Sequence, residues 1–331
     1  MTVELVAVVV VVLLATAFDF TNGFHDAANA IASAVSTRAL PLRGALVMAA
    51  VMNLLGALAG TGVAVTVASG VIAAPTGDGG LLVVIAALVG ATTWNLITWY
   101  FGLPSSSSHA LIGGLVGAAL ASATDVRWSG VLEKVVVPMI VSPVVGLVLG
   151  YLVMRAVQRL FRNADPHVAG RGFRRAQVFS AASLAFGHGL QDAQKSMGVI
   201  VLALVVSGHQ QDFHVPLWVI ALCATALAAG TYSGGLRIMR TVGRRIFHLT
   251  PPHGFAAELS ASSVLYLTAF AFHAPISTTH VITSAVMGVG STQRRSAVRW
   301  AVAGDIATGW VLTLPAAAIV AALVYGVIGF W

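Results

Sequence analysis

Charge is what this sequence has least of. Charged residues make up 9% of the 331, against about 25% in soluble domains, which excludes an ordinary solvated surface. Cysteine is almost missing. Cys223 stands alone, so no intrachain disulfide can form, and its place in an apolar run reads as small core packing. The alternating segments of about 10 residues that mark a membrane barrel are missing too. So is any nucleotide-binding motif, which disfavours ATP hydrolysis within the chain. The first apolar run, Leu5 to Phe18, has no basic stretch before it and no small-residue cleavage site after it. It reads as a retained membrane helix, not a signal peptide.

What remains is apolar. Hydrophobic residues reach 58% and the mean hydropathy is +0.90. In hydrocarbon every backbone polar group must be bonded internally, so the fold class is an all-α polytopic membrane protein. A span takes about 20 apolar residues. The candidate runs are 4–36, 44–72, 81–102, 104–124, 135–160, 176–208, 215–235, 254–273, 275–291 and 297–331. Several are too long for one simple span, and are expected to tilt, break or add half-helices.

Two halves resemble each other across the polar, basic linker 162–175. Asn22-Gly-Phe-His-Asp26-Ala-Ala-Asn29-Ala30 matches His188-Gly-Leu-Gln-Asp192-Ala-Gln-Lys195-Ser196. Pro104-Ser-Ser-Ser-Ser-His109 matches Pro275-Ile-Ser-Thr-Thr-His280, and Pro143 matches Pro315. The offsets are 166, 171 and 172. Three anchors in one order at nearly constant offset indicate an internal repeat, 1–161 and 176–331.

The net charge of +7 sets orientation and does not imply nucleic acid, because the basic residues lie in short loops. Arg155, Arg159, Arg162, Arg171, Arg174 and Arg175 put the linker in the cytoplasm. The loops 73–80 and 209–214 then fall outside, while Arg38, Arg43, the 236–253 loop and Arg294, Arg295 and Arg299 fall inside. Arg127 and Lys134 land outside, offset by Asp125 and Glu133. Each half therefore crosses an odd number of times. The halves are expected to be inverted-topology repeats with broken helices or helical hairpins meeting at a midplane site, both termini outside, a transporter architecture.

Ionisable side chains inside the membrane cost roughly 2.5–3.5 kcal/mol each on insertion scales and mark function by default. The chain places Asp19, His25, Asp26, His109, His188, Asp192, Lys195, Glu258, His280 and Asp305 in apolar runs. Asp26 and Asp192 each follow a Gly-x-x step, read as a helix break whose restart would attract an anion. A carboxylate beside an anion is consistent if the anion carries O–H groups, as mono- and dibasic phosphate do, or if a coupling cation lies between them. Ser106, Ser107 and Ser108, and Ser277, Thr278 and Thr279, follow a Pro suited to a helix start. Hydroxyls and free backbone N–H groups there suit a tetrahedral oxyanion. Lys195, three residues after Asp192, shares its helix face; it would neutralise the substrate or form a structural pair. Glu258 and Asp305 read as buried partners, for support or ion coupling. His109 and His280 read as packing or proton-carrying groups.

At these residues the sequence resembles the inorganic phosphate transporter (PiT) family, with a Gly-Ala-Asn-Asp-Val-Ala-Asn motif and a Pro-x-Ser-Thr-Thr-His motif in each inverted half. The resemblance covers nearly the whole chain. It implies that Asp26, Asn29, Asp192, Ser106, Ser107, Ser108, Ser277, Thr278 and Thr279 bind phosphate or its cation. His25, Gln191 and Lys195 stand where the motifs carry Asn. These variants look like the bacterial low-affinity Pit branch, which implies proton symport and acceptance of metal–phosphate complexes. An ammonium at a cation-lining position disfavours sodium.

The expectation is a secondary importer of phosphate in the bacterial inner membrane, coupled to H+, with sodium coupling or another oxyanion such as sulfate as alternatives. No resident metal or cofactor is expected, and a homodimer is left open. A sulfate carrier fits poorly, because sulfate has no proton to offer Asp26 or Asp192 near neutral pH. An intramembrane hydrolase with a Ser and His109 or His280 is disfavoured by the duplicated motif, since a hydrolase needs one site. A non-transporting scaffold is disfavoured by the buried ionisable residues.

Overall fold

The computed structural model describes residues 3–72, 78–293 and 297–329. The expectations for Arg294, Arg295 and most of the 73–80 loop lie outside the described residues. The chain folds into thirteen described helices: α1 (Val3–Ser36), α2 (Leu42–Ala57), α3 (Gly62–Gly70), α4 (Asp78–Phe101), α5 (Ser107–Ala121), α6 (Trp128–Val131) and α7 (Val137–Leu160), then α8 (Pro166–Val206), α9 (Leu217–Ser233), α10 (Leu236–Arg240), α11 (Pro251–Leu267), α12 (Thr278–Ser291) and α13 (Trp300–Ile328). Wider π-type turns join α6 to α7 and extend α10 and α11. Among the described residues the only β contact is a bridge between Ile72 and Val126.

Six of these helices are long and apolar enough to cross a membrane, or up to eight if the bent pairs α2–α3 and α9–α10 each make one span. The chain is a multi-pass membrane protein. α1 has 34 residues and α8 has 41, about 50 and 60 Å at 1.5 Å per residue, so both outreach a hydrocarbon core of about 30 Å. α5, with 15 residues, is shorter than that core.

The order of elements repeats. A long helix, a bent pair, a span, a short helix after a Pro motif and a Pro-containing helix occur in α1–α7 and again in α8–α13. Packing is exchanged between the sets: α1 lies on α9 and α8 on α2, α5 lies on α13 and α12 on α7.

Two expectations are corrected here. α1 and α8 run unbroken through Asp26 and Asp192. Their glycines serve close helix crossing. A Cβ on Gly23 would lie 2.4 Å from the Leu227 carbonyl oxygen, and one on Gly230 2.1 Å from that of Phe20. At the matching α8–α2 crossing, a Cβ on Gly189 would lie 2.1 Å from the Asn53 oxygen, and one on Gly56 2.0 Å from that of Phe186. Small residues let backbones approach where hydrophobic driving force between helices is missing. Second, the 162–175 segment is mostly helix. The Asp165 side chain caps α8 by accepting from the N–H groups of His167 and Val168, at 2.8 and 3.0 Å, with Pro166 at the first position.

Between α8 and α9, the exposed Asp212 is hydrogen bonded by His214, which holds its carboxyl below the usual range.

Candidate functional site

Pro104 and Pro275 precede the extended residues Ser106 and Ser277, which open α5 and α12. Each caps its helix by accepting from the N–H of the following His, 3.3 Å for His109 and 3.2 Å for His280. The remaining first-turn N–H groups of a helix have no internal partner. Both helix starts lie against the middle of α1, where Asp26 is buried.

Asp26 Oδ1 accepts from Asn29 Nδ2 at 3.0 Å and from Thr279 Oγ1 at 3.3 Å, and His25 Nδ1 lies 2.8 Å from it. Its Oδ2 accepts from Ser107 Oγ at 3.3 Å. One carboxylate thus gathers a hydroxyl from each copy of the Pro–hydroxyl motif. Asn29 Nδ2 also donates to Thr279 Oγ1 at 2.7 Å. The far side of the His25 ring, Nε2, meets Thr98 Oγ1 at 3.1 Å, and Ser105 Oγ donates to that hydroxyl at 2.9 Å.

Asp192 comes from α8 and is fully buried. Lys195 Nζ donates to its Oδ1. His188 Nε2 lies 2.9 Å from Oδ2, and Asn22 Nδ2 is 3.4 Å from the same oxygen. One ligand atom from each of Asp26, His188 and Asp192 lies within 4.8 Å of the others. The two acidic motif residues, 166 apart in sequence, therefore share one site. Asn22 Oδ1 and Asn29 Oδ1 are buried acceptors without a partner among the described residues. Buried polar groups are normally satisfied, so these two carbonyls fit an added donor or cation.

Of the other expected residues, Ser108 Oγ donates to the Ile276 carbonyl at 3.0 Å, tying the two helix starts together, and Thr278 is buried. His109 and His280 pack ring against ring. Their ring centroids lie 4.9 Å apart, and His280 stacks on Trp310 at 3.9 Å. Neither makes a hydrogen bond to Asp26 or Asp192 among the described residues. Gln191 Nε2 faces away from the site and donates to Thr268 Oγ1 at 3.0 Å.

Glu258 lies at the junction of α1, α8 and α11. It accepts from Ser33, from Ser180 at 2.5 Å and from Gln177 at 3.2 Å. Thr37 donates to Gln177 at 2.7 Å. Asn22, Asp26, Asn29 and Ser33 thus form one polar stripe at helical spacing along α1, which Thr37 continues just past the helix end. Asp305 departs from expectation, because it is exposed. The buried face of α13 runs through Ala303, Ile306, Thr313, Ala317 and Ala321, and two residues past Ala303 the side chain has turned about 200° away from it.

Asn22 and His188 are the site residues that motif reading left without a role. The available signal is their position: each precedes its motif Asp by four residues, one turn back on the same face.

Comparison with known proteins shows the family. Residues 22–321 match the phosphate transporter family. A probable low-affinity inorganic phosphate transporter of Bacillus subtilis (strain 168) is 42% identical over 328 residues, 98% of each chain. One of Rhizobium meliloti (strain 1021) is 46% identical over 321 residues, 95% of this chain and 94% of that one. A solved structure, described as the sodium-dependent phosphate transporter, has a TM-score of 0.90, covers 98% of this chain and 99% of its own, and is 24% identical. At that identity the likeness is one of fold.

Proposed function

The chain belongs to the phosphate transporter family, and from that premise we propose that it is a secondary phosphate importer driven by protons. The observation that carries the reading is Asp26, which collects Ser107 from the start of α5, Thr279 from the start of α12 and the Asn29 amide. Phosphate takes the place of these internal partners. Ser107, Thr279 and the free first-turn N–H groups donate to its oxygens. Its own O–H groups donate to Asp26 and to the orphaned Asn29 carbonyl, which is why a protonated oxyanion is accepted and sulfate is not.

Coupling follows from charge. Lys195 holds Asp192 in a buried pair, and that fixed ammonium opposes a sodium ion nearby while easing the approach of an anion. Glu258, bound by Ser33, Ser180 and Gln177, supports the junction beside the site. The halves 1–161 and 176–331 act as inverted repeats around the site. The exchanged packing of α1 on α9 and α8 on α2 supports this, as do the basic residues around Arg162–Arg175. On this reading the linker faces the cytoplasm of a bacterial inner membrane and both termini face outward.

A second reading has one observation in its favour. The close approach of Asp26, His188 and Asp192, within 4.8 Å, would suit a cation: sodium as the coupling ion, or a divalent metal carried with phosphate. Uptake of labelled phosphate into proteoliposomes, with proton and sodium gradients imposed separately, decides between them. Accumulation under a pH gradient in sodium-free buffer is the expected result. Accumulation under a sodium gradient alone would overturn proton coupling.

A further inference from the structure

Asp19 is a buried acid that none of the interactions above uses. It lies on the inner face of α1, fully buried, two turns before Asp26 and so about 10 Å from it along the axis. Ser196 Oγ donates to its Oδ1 at 2.6 Å, and the Cys223 thiol is a further, weak donor to the carboxyl. The charged and titratable groups facing it are Asp192 and Lys195 on α8 and the Cys223 thiol on α9. α4, which also packs on α1, has no titratable side chain between Gly79 and Trp99. No cation among the described residues pairs with Asp19; the nearby ammonium, Lys195, is bound to Asp192.

A lone carboxylate in such surroundings is costly without a counter-charge, whereas its neutral acid leaves the interior charge as Lys195 and Asp192 have balanced it. We propose that Asp19 carries the coupled proton, and that its charge is felt at the phosphate site through Lys195. The proposal rests on the proton-coupled reading above and names the residue responsible. A proton from the outer solution forms an O–H bond on the Asp19 carboxyl, and the Lys195 ammonium then answers only to Asp192 and to phosphate. On the inner side that O–H bond breaks and the proton passes to cytoplasmic water. The new carboxylate competes for the ammonium and adds a negative charge two turns from the substrate. At an effective dielectric of about 20 and a separation of about 10 Å, that charge weakens phosphate binding on the order of tenfold. By linkage, phosphate raises the proton affinity of Asp19 by the same factor, so the two ligands travel together.

The test uses the full chain in proteoliposomes, with labelled inorganic phosphate as probe. Wild-type protein must first accumulate phosphate under a pH gradient in sodium-free buffer; if it does not, the proton-coupled reading itself has failed. With that established, Asp19→Asn mimics the permanently protonated acid. It should lose gradient-driven accumulation by about tenfold or more while phosphate–phosphate exchange stays within about twofold of wild type. Asp19→Glu should restore the gradient response. Asp19→Asn protein that still accumulates phosphate under the gradient overturns the proposal. So does inserted, folded protein that loses exchange together with accumulation, since that is the behaviour of a merely structural carboxylate. Should Asp19→Asn fail to insert, Ser196→Ala decides. Removing a donor to the ionised carboxylate favours its protonated form, so the pH midpoint of uptake should move upward, and an unmoved midpoint counts against the role.

Discussion

Asn29 on α1 donates its side-chain amide to Thr279 Oγ1 at the start of α12 over 2.7 Å, a bond spanning 250 positions of sequence. The same nitrogen reaches Asp26 Oδ1 at 3.0 Å. One side chain of the first half thus aligns a hydroxyl of the second half with Asp26, the pair proposed above to meet phosphate. Asn29→Ala should leave that hydroxyl and Asp26 short of a partner, a loss of about 1–3 kcal/mol. The half-saturating phosphate concentration should rise about tenfold or more, while membrane insertion stays normal. Uptake kinetics measured at matched expression check this, and unchanged kinetics would remove Asn29 from the site.

The two acids should fail differently. Asp26→Asn and Asp192→Asn are both expected to abolish uptake, because an amide no longer accepts through both oxygens. Asp192→Asn also strips Lys195 of its partner inside the protein. Breaking a buried pair from one side costs about 3–5 kcal/mol, so this variant should melt at lower temperature in detergent than Asp26→Asn, whose neighbours are hydroxyls, an amide and His25. Equal melting temperatures would mean that the Lys195–Asp192 pair contributes nothing in the resting protein.

The close crossings give a prediction about stability alone. Gly56→Ala places a methyl 2.0 Å from the Phe186 carbonyl oxygen, where helix must press on helix. Overpacking of this kind costs about 1–3 kcal/mol or more. Gly304→Ala, with nothing within 4 Å of the added carbon, should be neutral or gain up to about 1 kcal/mol of helix propensity. Thermal unfolding in detergent compares the two, and a neutral Gly56→Ala would show that the α2–α8 approach is looser than described.

Orientation can be read with single cysteines, because the native Cys223 is buried. A cysteine at Ala164 should react with an impermeant maleimide only after the cells are opened. One at Asp212, which is exposed between α8 and α9, should react in intact cells. The reverse pattern would overturn the charge-based topology.

Composition and the two ordered motif pairs made the all-helical class and the two helix starts after Pro104 and Pro275 legible, although each Pro lies ahead of its cap, Ser106 or Ser277, and not at the first helical position. The Lys195–Asp192 contact was legible for a local reason, three residues on one face. What could not be read was whatever depends on the partner helix. Gly23 and Gly189 look like breaks in a one-dimensional sequence, yet each lies under a carbonyl of another helix, Leu227 in one case and Asn53 in the other. Asp305 looked buried because its neighbours are apolar, but in a membrane apolar neighbours also face lipid. The cradle of Glu258 draws on Ser33, Gln177 and Ser180 from two other helices, and no spacing within one helix announces it.

The last prediction concerns the coupling ion and turns on Lys195. Its ammonium sits on Asp192, beside the space bounded by Asp26, His188 and Asp192. An ammonium about 6 Å from a cation opposes it by roughly 3 kcal/mol at an effective dielectric of about 20, or about a hundredfold in affinity. Lys195→Asn removes that opposition and restores the neutral residue that Asn29 supplies at the matching position of the first half. Asp192 keeps His188 and Asn22 as partners, so the variant should still fold. The variant is therefore expected to acquire sodium-stimulated uptake, with sodium affinity higher than wild type by about a hundredfold on the same electrostatic ground. Phosphate affinity should fall, because the positive charge that eased an anion into an acidic site is gone. Uptake at equal pH on both sides, titrated with sodium against choline, measures the first effect, and phosphate titration in the same vesicles measures the second. If the variant stays indifferent to sodium while phosphate affinity falls, Lys195 serves the substrate and the choice of coupling ion is made by other groups. If both stay as in wild type, the ammonium is a structural partner of Asp192 and no more.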